Sequence, residues 1–218
     1  NATRAYGLYS AGFYDTDGLV DIEVYVSGHE GTTDVIADVK NQKAYVALDA
    51  ALDKKDVEIA GKKLKLIELP GISHLIVEEK EDKEFVDEAL KILKENYKAE
   101  AYGIIFFDKE KLEIVPYVYV EGSDTLVREG SCGSATVAVI NYIEDDINSL
   151  DEEYKISIKN PAGELEVFVY EFEDGKKLCV GGKVELSEVE KKSIDIPQEV
   201  VASVIAEHDK IVEERKKH

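Results

Sequence analysis

The chain has 218 residues, 44% of them hydrophobic and 34% charged, enough to bury a substantial core in one large domain or two modest ones. Its 47 acidic against 27 basic side chains leave a net charge of -20, which repels phosphate backbones and anionic membrane surfaces, so neither nucleic acid nor membrane is an expected partner. No apolar run approaches the roughly 18 residues that span a bilayer and the first residues lack a basic-then-apolar leader pattern, so a cytoplasmic location is expected.

The chain opens on Asn1 and contains no methionine, and Asn1 is therefore read as an internal position of a longer sequence. From Asn1 to Gly12 small and aromatic residues ended by glycine predict a helix. Alternation over Asp21 to Ser27 predicts a strand; Thr33 to Val39, the Asn41-Gln42 turn and Lys43 to Leu48 read as an antiparallel pair. Strands at Leu64 to Ile67 and His74 to Glu78 flank a break at Pro70-Gly71. Glu84 to Lys98 places Phe85, Val86, Ala89, Leu90, Leu93 and Tyr97 on one face, an amphipathic helix. Strands at Tyr102 to Phe107 and Leu112 to Val120 then precede a glycine-rich approach to Cys132, and Ser134 to Asp145 reads as a buried helix, nearly apolar in its first two turns. Lys155 to Ile158, Leu165 to Phe172 and Lys177 to Val180 are further strands, the last two joined by an Asp174-Gly175 hairpin signal. A final helix is expected from Pro197 to about Lys216.

Sliding the sequence on itself by 133 positions lays Ala2, Thr3, Ala5 and Tyr9 on Ala135, Thr136, Ala138 and Tyr142, and the Asn41-Gln42 turn on Asp174-Gly175 without a gap. The constant register favours two structurally similar halves, taken as residues 1–99 and 100–218, the second carrying the C-terminal helix and the first lacking its N-terminal part. The same displacement sends Cys132 and Gly133 to the two positions before Asn1, where a Cys-Gly pair is expected.

A thiol is a base only as thiolate, and the unpaired N–H groups and positive dipole end of a helix N-terminus lower a cysteine's pKa. Cys132 is predicted to sit there, and the free N–H groups of Gly133 and Ser134 to hold a carboxylate. Two such helix mouths facing one α-carbon would place a thiol on each side of it, the geometry for taking a proton from one face and returning one to the other. The competing reading of Cys132 is a buried free cysteine acting as a small hydrophobe. Cys179, at an inward strand position in Lys177-Leu178-Cys179-Val180, is read as core.

Glu129-Gly130-Ser131-Cys132-Gly133-Ser134-Ala135-Thr136 resembles the second cysteine motif of the diaminopimelate epimerase-like superfamily, and Asn1-Ala2-Thr3-Arg4 the tail of its first, Cys-Gly-Asn-x-x-Arg. Pro70-Gly71-Ile72-Ser73-His74 is similar to its Gly-Asn-Pro-His segment, and Asn160-Pro161-Ala162-Gly163 to the turn after its second central helix. The resemblance implies an α+β fold of two pseudo-symmetric barrel-like halves, each an antiparallel sheet wrapped around a central helix, with a pyridoxal-free, two-thiol active site between them. It implies a cofactor-independent amino-acid racemase or epimerase in which Cys132 is one acid/base, the N–H groups of Gly133, Ser134 and Asn1 bind the α-carboxylate, and His74 lies near the substrate. A small-molecule amino acid is the implied partner, with a homodimer as the candidate assembly. Where diaminopimelate epimerases carry a Glu-Arg pair, this chain reads Tyr119-Val120-Glu121-Gly122-Ser123-Asp124, and the Asn-Pro of the histidine motif is Ile72-Ser73. Both departures point to a different amino acid, and the two cysteine-motif segments are more similar to those of histidine racemases in the superfamily.

His74 also has a structural reading, as a polar residue satisfied at a strand start, and Glu121 and Glu129 have solvated surface as their default. His29 and His208 show no partner at metal-ligand spacing, so no metal is expected, and the glycines form no nucleotide fingerprint. Two alternatives remain at this level: a dehydratase or isomerase of the same fold, which needs one acid/base, and a non-catalytic small-molecule binding protein that keeps the carboxylate site.

Overall fold

The computed structural model describes residues 19–25, 32–48, 50–151, 153–172 and 175–185. The expected helices at Asn1 to Gly12 and Pro197 to Lys216, and Asn1, His29 and His208 as individual residues, lie outside them. Among the described residues twelve strands form one sheet: β1 (Leu19–Tyr25), β2 (Thr32–Asp38), β3 (Lys43–Leu48), β4 (Asp53–Ile59), β5 (Lys62–Leu69), β6 (Ile72–Val77), β7 (Ala101–Asp108), β8 (Glu113–Val120), β9 (Thr125–Arg128), β10 (Lys155–Asn160), β11 (Gly163–Phe172) and β12 (Gly175–Lys183). Their order is β1-β2-β3-β12-β11-β10-β8-β7-β6-β5-β4, with β9 added to β8. Among the described residues two α-helices accompany them, α1 (Lys83–Asn96) and α2 (Gly133–Ile143), a sheet-rich α+β fold. Neither is long and apolar enough to cross a membrane.

The apolar runs of β5, β6 and β7 are buried on both faces, which is why they read as continuous rather than alternating. Leu66, Leu75, Ile104 and Phe106 turn towards a cluster with Phe85, Val86, Ala89 and Leu93 of α1. Their neighbours Ile67, Ile76, Ile105 and Phe107 pack instead with Ala135, Val137, Ala138, Val139 and Ile140 of α2. Helix α1 begins where Asp82 accepts hydrogen bonds from the Glu84 and Phe85 N–H groups at 2.9 and 3.3 Å, a side-chain N-cap. Helix α2 is buried throughout Ala135 to Asn141, as its composition predicts. Its one buried amide is satisfied: Asn141 accepts from the Ala51 N–H at 3.1 Å and donates to the Val137 carbonyl at 2.9 Å.

The expected division is at residue 99. It falls between α1 and β7, which share one core, and β6 and β7 pair in parallel from Ile72↔Ala101 to Val77↔Phe106. Parallel neighbours need a crossover, and α1 is that crossover. Strands β4 to β6 therefore belong with β7, β8 and α2, while β1 to β3 join the sheet through β12. Two strands escaped sequence reading. β4 opens Asp53-Lys54-Lys55-Asp56 and looks like a charged loop because it is an edge strand, where lysines guard unpaired backbone groups. β9 is short and exposed at every residue, so no burial pattern marks it.

The meanders β1-β2-β3 and β10-β11-β12 share registers. Adding 133 to both members of Ile22↔Val35 yields Lys155↔Phe168, and Val35↔Val46 yields Phe168↔Cys179; all four are observed pairs. Where the meanders meet, β3 and β12 run antiparallel, with Val46 opposite Val180 and Ala47 opposite Cys179. The same displacement exchanges those two pairs.

Candidate active site at the start of helix α2

Cys132 is the N-cap of α2, in an extended conformation, and its side chain makes no capping hydrogen bond. Its backbone is clamped from two sides. The Cys132 N–H donates to Asn160 Oδ1 at 3.0 Å, and its carbonyl accepts from the Thr136 hydroxyl at 2.8 Å. Asn160 Nδ2 closes the clamp by donating to Thr136 Oγ1 at 3.4 Å and to the Ile158 carbonyl at 3.2 Å. One turn earlier, the Ala162 N–H donates to the Gly130 carbonyl at 2.7 Å, strapping the approach to Cys132 onto the β10–β11 turn. The Asn160-Pro161-Ala162-Gly163 segment thus holds the thiol in place. Asn160 and Thr136 were not recognised as site residues in the sequence because their partners are backbone groups brought near only by folding.

Gly133 and Ser134 are half-buried in the first turn, where N–H groups have no intrahelical acceptor. Among the described residues a Cβ at Gly133 would meet Leu48 alone, at 3.8 Å, an ordinary contact, so their packing does not demand glycine there. The Ser134 hydroxyl stands between two groups, His74 Nε2 at 3.0 Å and Cys132 Sγ at 3.5 Å. Four of the residues singled out in the sequence, Cys132, Gly133, Ser134 and His74, therefore come together. Glu129 adjoins the thiol, whereas Glu121 is exposed and pairs with Lys94 at 3.7 Å. Cys179 is fully buried among Ile36, Tyr45 and Ala47, as a core residue should be.

The expectation of a thiolate at Cys132 is corrected by its burial. The residue is 7% exposed, and desolvation, reinforced by the neighbouring Glu129, pushes the thiol up to about 11. The Ser134 hydroxyl and the Ala135 N–H act the other way without prevailing. At neutral pH the substrate-free site presents a thiol, able to give a proton rather than take one. Among the described residues no three His, Cys, Asp or Glu side chains converge as metal ligands.

His74 is fully buried, and desolvation holds its pKa down to about 3, so the ring is neutral. It fits because its sheet neighbour on β7 is Gly103, where a Cβ would lie 1.9 Å from His74 Nδ1. Below pH 6.5 an unfolded chain protonates this histidine while the folded one does not, until pH approaches 3. Stability is expected to fall by about 1.4 kcal/mol for each pH unit below 6.5 on this account. Urea unfolding of the wild type and His74→Gln at pH 6.5 and 5 checks it: the wild type loses more, and equal losses would contradict the assignment.

Over residues 1–191 the chain matches the family described as the histidine racemase CntK N-terminal domain. Two histidine racemases from strains of Fusobacterium nucleatum subsp. nucleatum are similar to it, at 30% identity over 196 residues and 32% over 199, each covering 85% of this chain and 71% of the relative. A protein described as a predicted epimerase from Pseudomonas aeruginosa superposes with a TM-score of 0.52 at 11% identity, covering 88% of this chain and 73% of that one, a likeness of fold alone. A PhzF-family phenazine biosynthesis protein from Bacillus anthracis reaches 0.49 at 12% identity, covering 82% of this chain and 70% of that chain.

Proposed function

Since the chain belongs to the histidine racemase CntK N-terminal domain family and is an isomerase of the amino-acid racemase and epimerase kind, we propose that it racemises histidine by a two-thiol mechanism needing no cofactor. The observation that carries this reading is a buried thiol at the N-cap of a helix whose first N–H groups have no intrahelical acceptor, with the Ser134 hydroxyl and His74 behind it.

The α-carboxylate sits on the N–H groups of Gly133 and Ser134, next to His74; Asn1, expected to supply a third N–H, lies outside the described residues. Helix N-termini favour anions at this position, and a glycine that packing does not require leaves room for one. A base on one face of the α-carbon removes its hydrogen, and Cys132 delivers its own to the opposite face. The balance is one proton taken and one given, leaving Cys132 as thiolate and the partner protonated; the reverse reaction starts from that state. The partner thiol of this mechanism belongs to the first cysteine motif, whose tail Asn1-Ala2-Thr3-Arg4 resembles. The shared registers and the exchange of pairs at the β3–β12 seam support two halves related by a pseudo-twofold axis.

Incubation of each histidine enantiomer, and of other amino acids including diaminopimelate, in deuterated water tests the proposal, read by chiral chromatography and mass spectrometry. Histidine is expected to racemise with one deuterium taken up at Cα. Turnover confined to another amino acid would remove the substrate assignment, and absence of exchange with every amino acid would leave a binding protein.

A further inference from the structure

Among the described residues one of the two ring nitrogens of His74 has a partner: Nε2 lies 3.0 Å from the Ser134 hydroxyl, while Nδ1 is buried without one. A neutral imidazole carries one N–H and one bare lone pair, and the nitrogen that holds the hydrogen sets the direction of every hydrogen bond beyond it. Nδ1 faces the α-carbon of Gly103, since a Cβ built there would lie 1.9 Å from it. A hydrogen on Nδ1 would be a buried donor pressed against carbon, the rarest kind of unsatisfied group, whereas a bare lone pair there meets a weak C–H contact. The hydrogen therefore belongs on Nε2, which donates to Ser134 Oγ. That leaves the serine hydrogen free, and its other neighbour is the Cys132 sulfur at 3.5 Å.

From this geometry we infer that His74, seated against Gly103, is a positioning residue that makes the Ser134 hydroxyl a one-way donor to the Cys132 sulfur. The thiolate left after proton delivery then has a fixed partner. With the opposite tautomer Nε2 would accept the serine hydrogen and the sulfur would lose it. Only the sulfur gains and loses a proton in turnover; His74 and Ser134 stay neutral throughout. The charged side chain facing the sulfur among the described residues is Glu129, which works in the opposite sense. Asn160 on β10 and Thr136 on α2 bond the Cys132 backbone, so beside Glu129 the sulfur's neighbours are the Ser134 hydroxyl and the Ala135 N–H.

The inference rests on Cys132 as an acid and base of the proposed reaction, but its tests do not require histidine to be the substrate. Long-range proton–nitrogen correlation spectra of the wild-type protein at pH 7, with His74 assigned by its absence from His74→Gln, are expected to show hydrogen on Nε2; hydrogen on Nδ1 overturns the inference. The second readout is the rate of iodoacetamide alkylation at Cys132 against pH, mapped by mass spectrometry. Ser134→Ala and His74→Leu are expected to raise the thiol's midpoint by about one unit, seen as roughly tenfold slower alkylation at pH 9. Ser134→Thr and His74→Gln keep a donor in place and are expected to restore most of the rate. Unchanged midpoints in the alanine and leucine variants, or a glutamine variant no better than leucine, overturn the inference. The spectrum is taken on the wild type, so a variant that fails to fold leaves that test standing. If histidine is not turned over while both readouts hold, the substrate assignment fails and the donor chain stands.

Discussion

Cys132→Ser is expected to lower racemisation in both directions by about 10²- to 10⁴-fold, the range that a positioned acid or base contributes. Racemisation needs a group on each face of the α-carbon, so loss of one stops both directions. Serine keeps the size of the side chain and its hydrogen bonding at the helix mouth, but its hydroxyl stays protonated where a thiol can ionise. The fold should survive, because the clamp from Asn160 and Thr136 holds the residue 132 backbone and not its side chain. The variant is further expected to retain solvent exchange on the one enantiomer whose hydrogen faces the partner group. Chiral chromatography and deuterium uptake separate these outcomes, and full racemisation by a folded Cys132→Ser would refute the mechanism.

Gly181→Ala is expected to destabilise the fold by about 3 kcal/mol or more, at the upper end of what overpacking costs. Gly181 lies on β12 opposite Tyr45 of β3, and a Cβ there would stand 2.0 Å from the Ala44 carbonyl oxygen and 2.7 Å from Tyr45 Cα. Both are backbone atoms, so no side chain can swing aside, and relief requires the two strands to separate. Those strands join β1 and β2 to the rest of the sheet. Gly122→Ala serves as the control, since a Cβ there meets no described residue within 4 Å, and it should change stability by less than about 0.5 kcal/mol. Equal urea midpoints for the two variants would show that the seam accommodates the methyl group.

The elements legible in the sequence were those whose period carries the information. The amphipathic face of α1, the apolar first turns of α2 and the turns at Asn41-Gln42 and Pro70-Gly71 each depend on a few neighbouring residues. The displacement of 133 was visible for a similar reason, because matching meanders need matching spacings. β4 and β9 were missed because edge strands carry charge or exposure in place of a buried pattern.

Cys132 was identifiable as the thiol to watch from local chemistry alone, a cysteine beside glycine at a helix start. Its protonation was not, because the helix terminus that favours thiolate is a local effect, while the burial that overcomes it comes from the surrounding chain. His74 and Ser134 are 60 residues apart, and Gly103 enters the site only because a parallel crossover lays β7 beside β6. The sequence by itself determined most of the described elements, the turns and the candidate site residue types, since propensity, period and helix capping act over a few residues. Tertiary structure alone decided that β7 lies beside β6, which backbone clamp holds Cys132, and which state its thiol adopts, because strand pairing and desolvation are properties of residues distant in the chain.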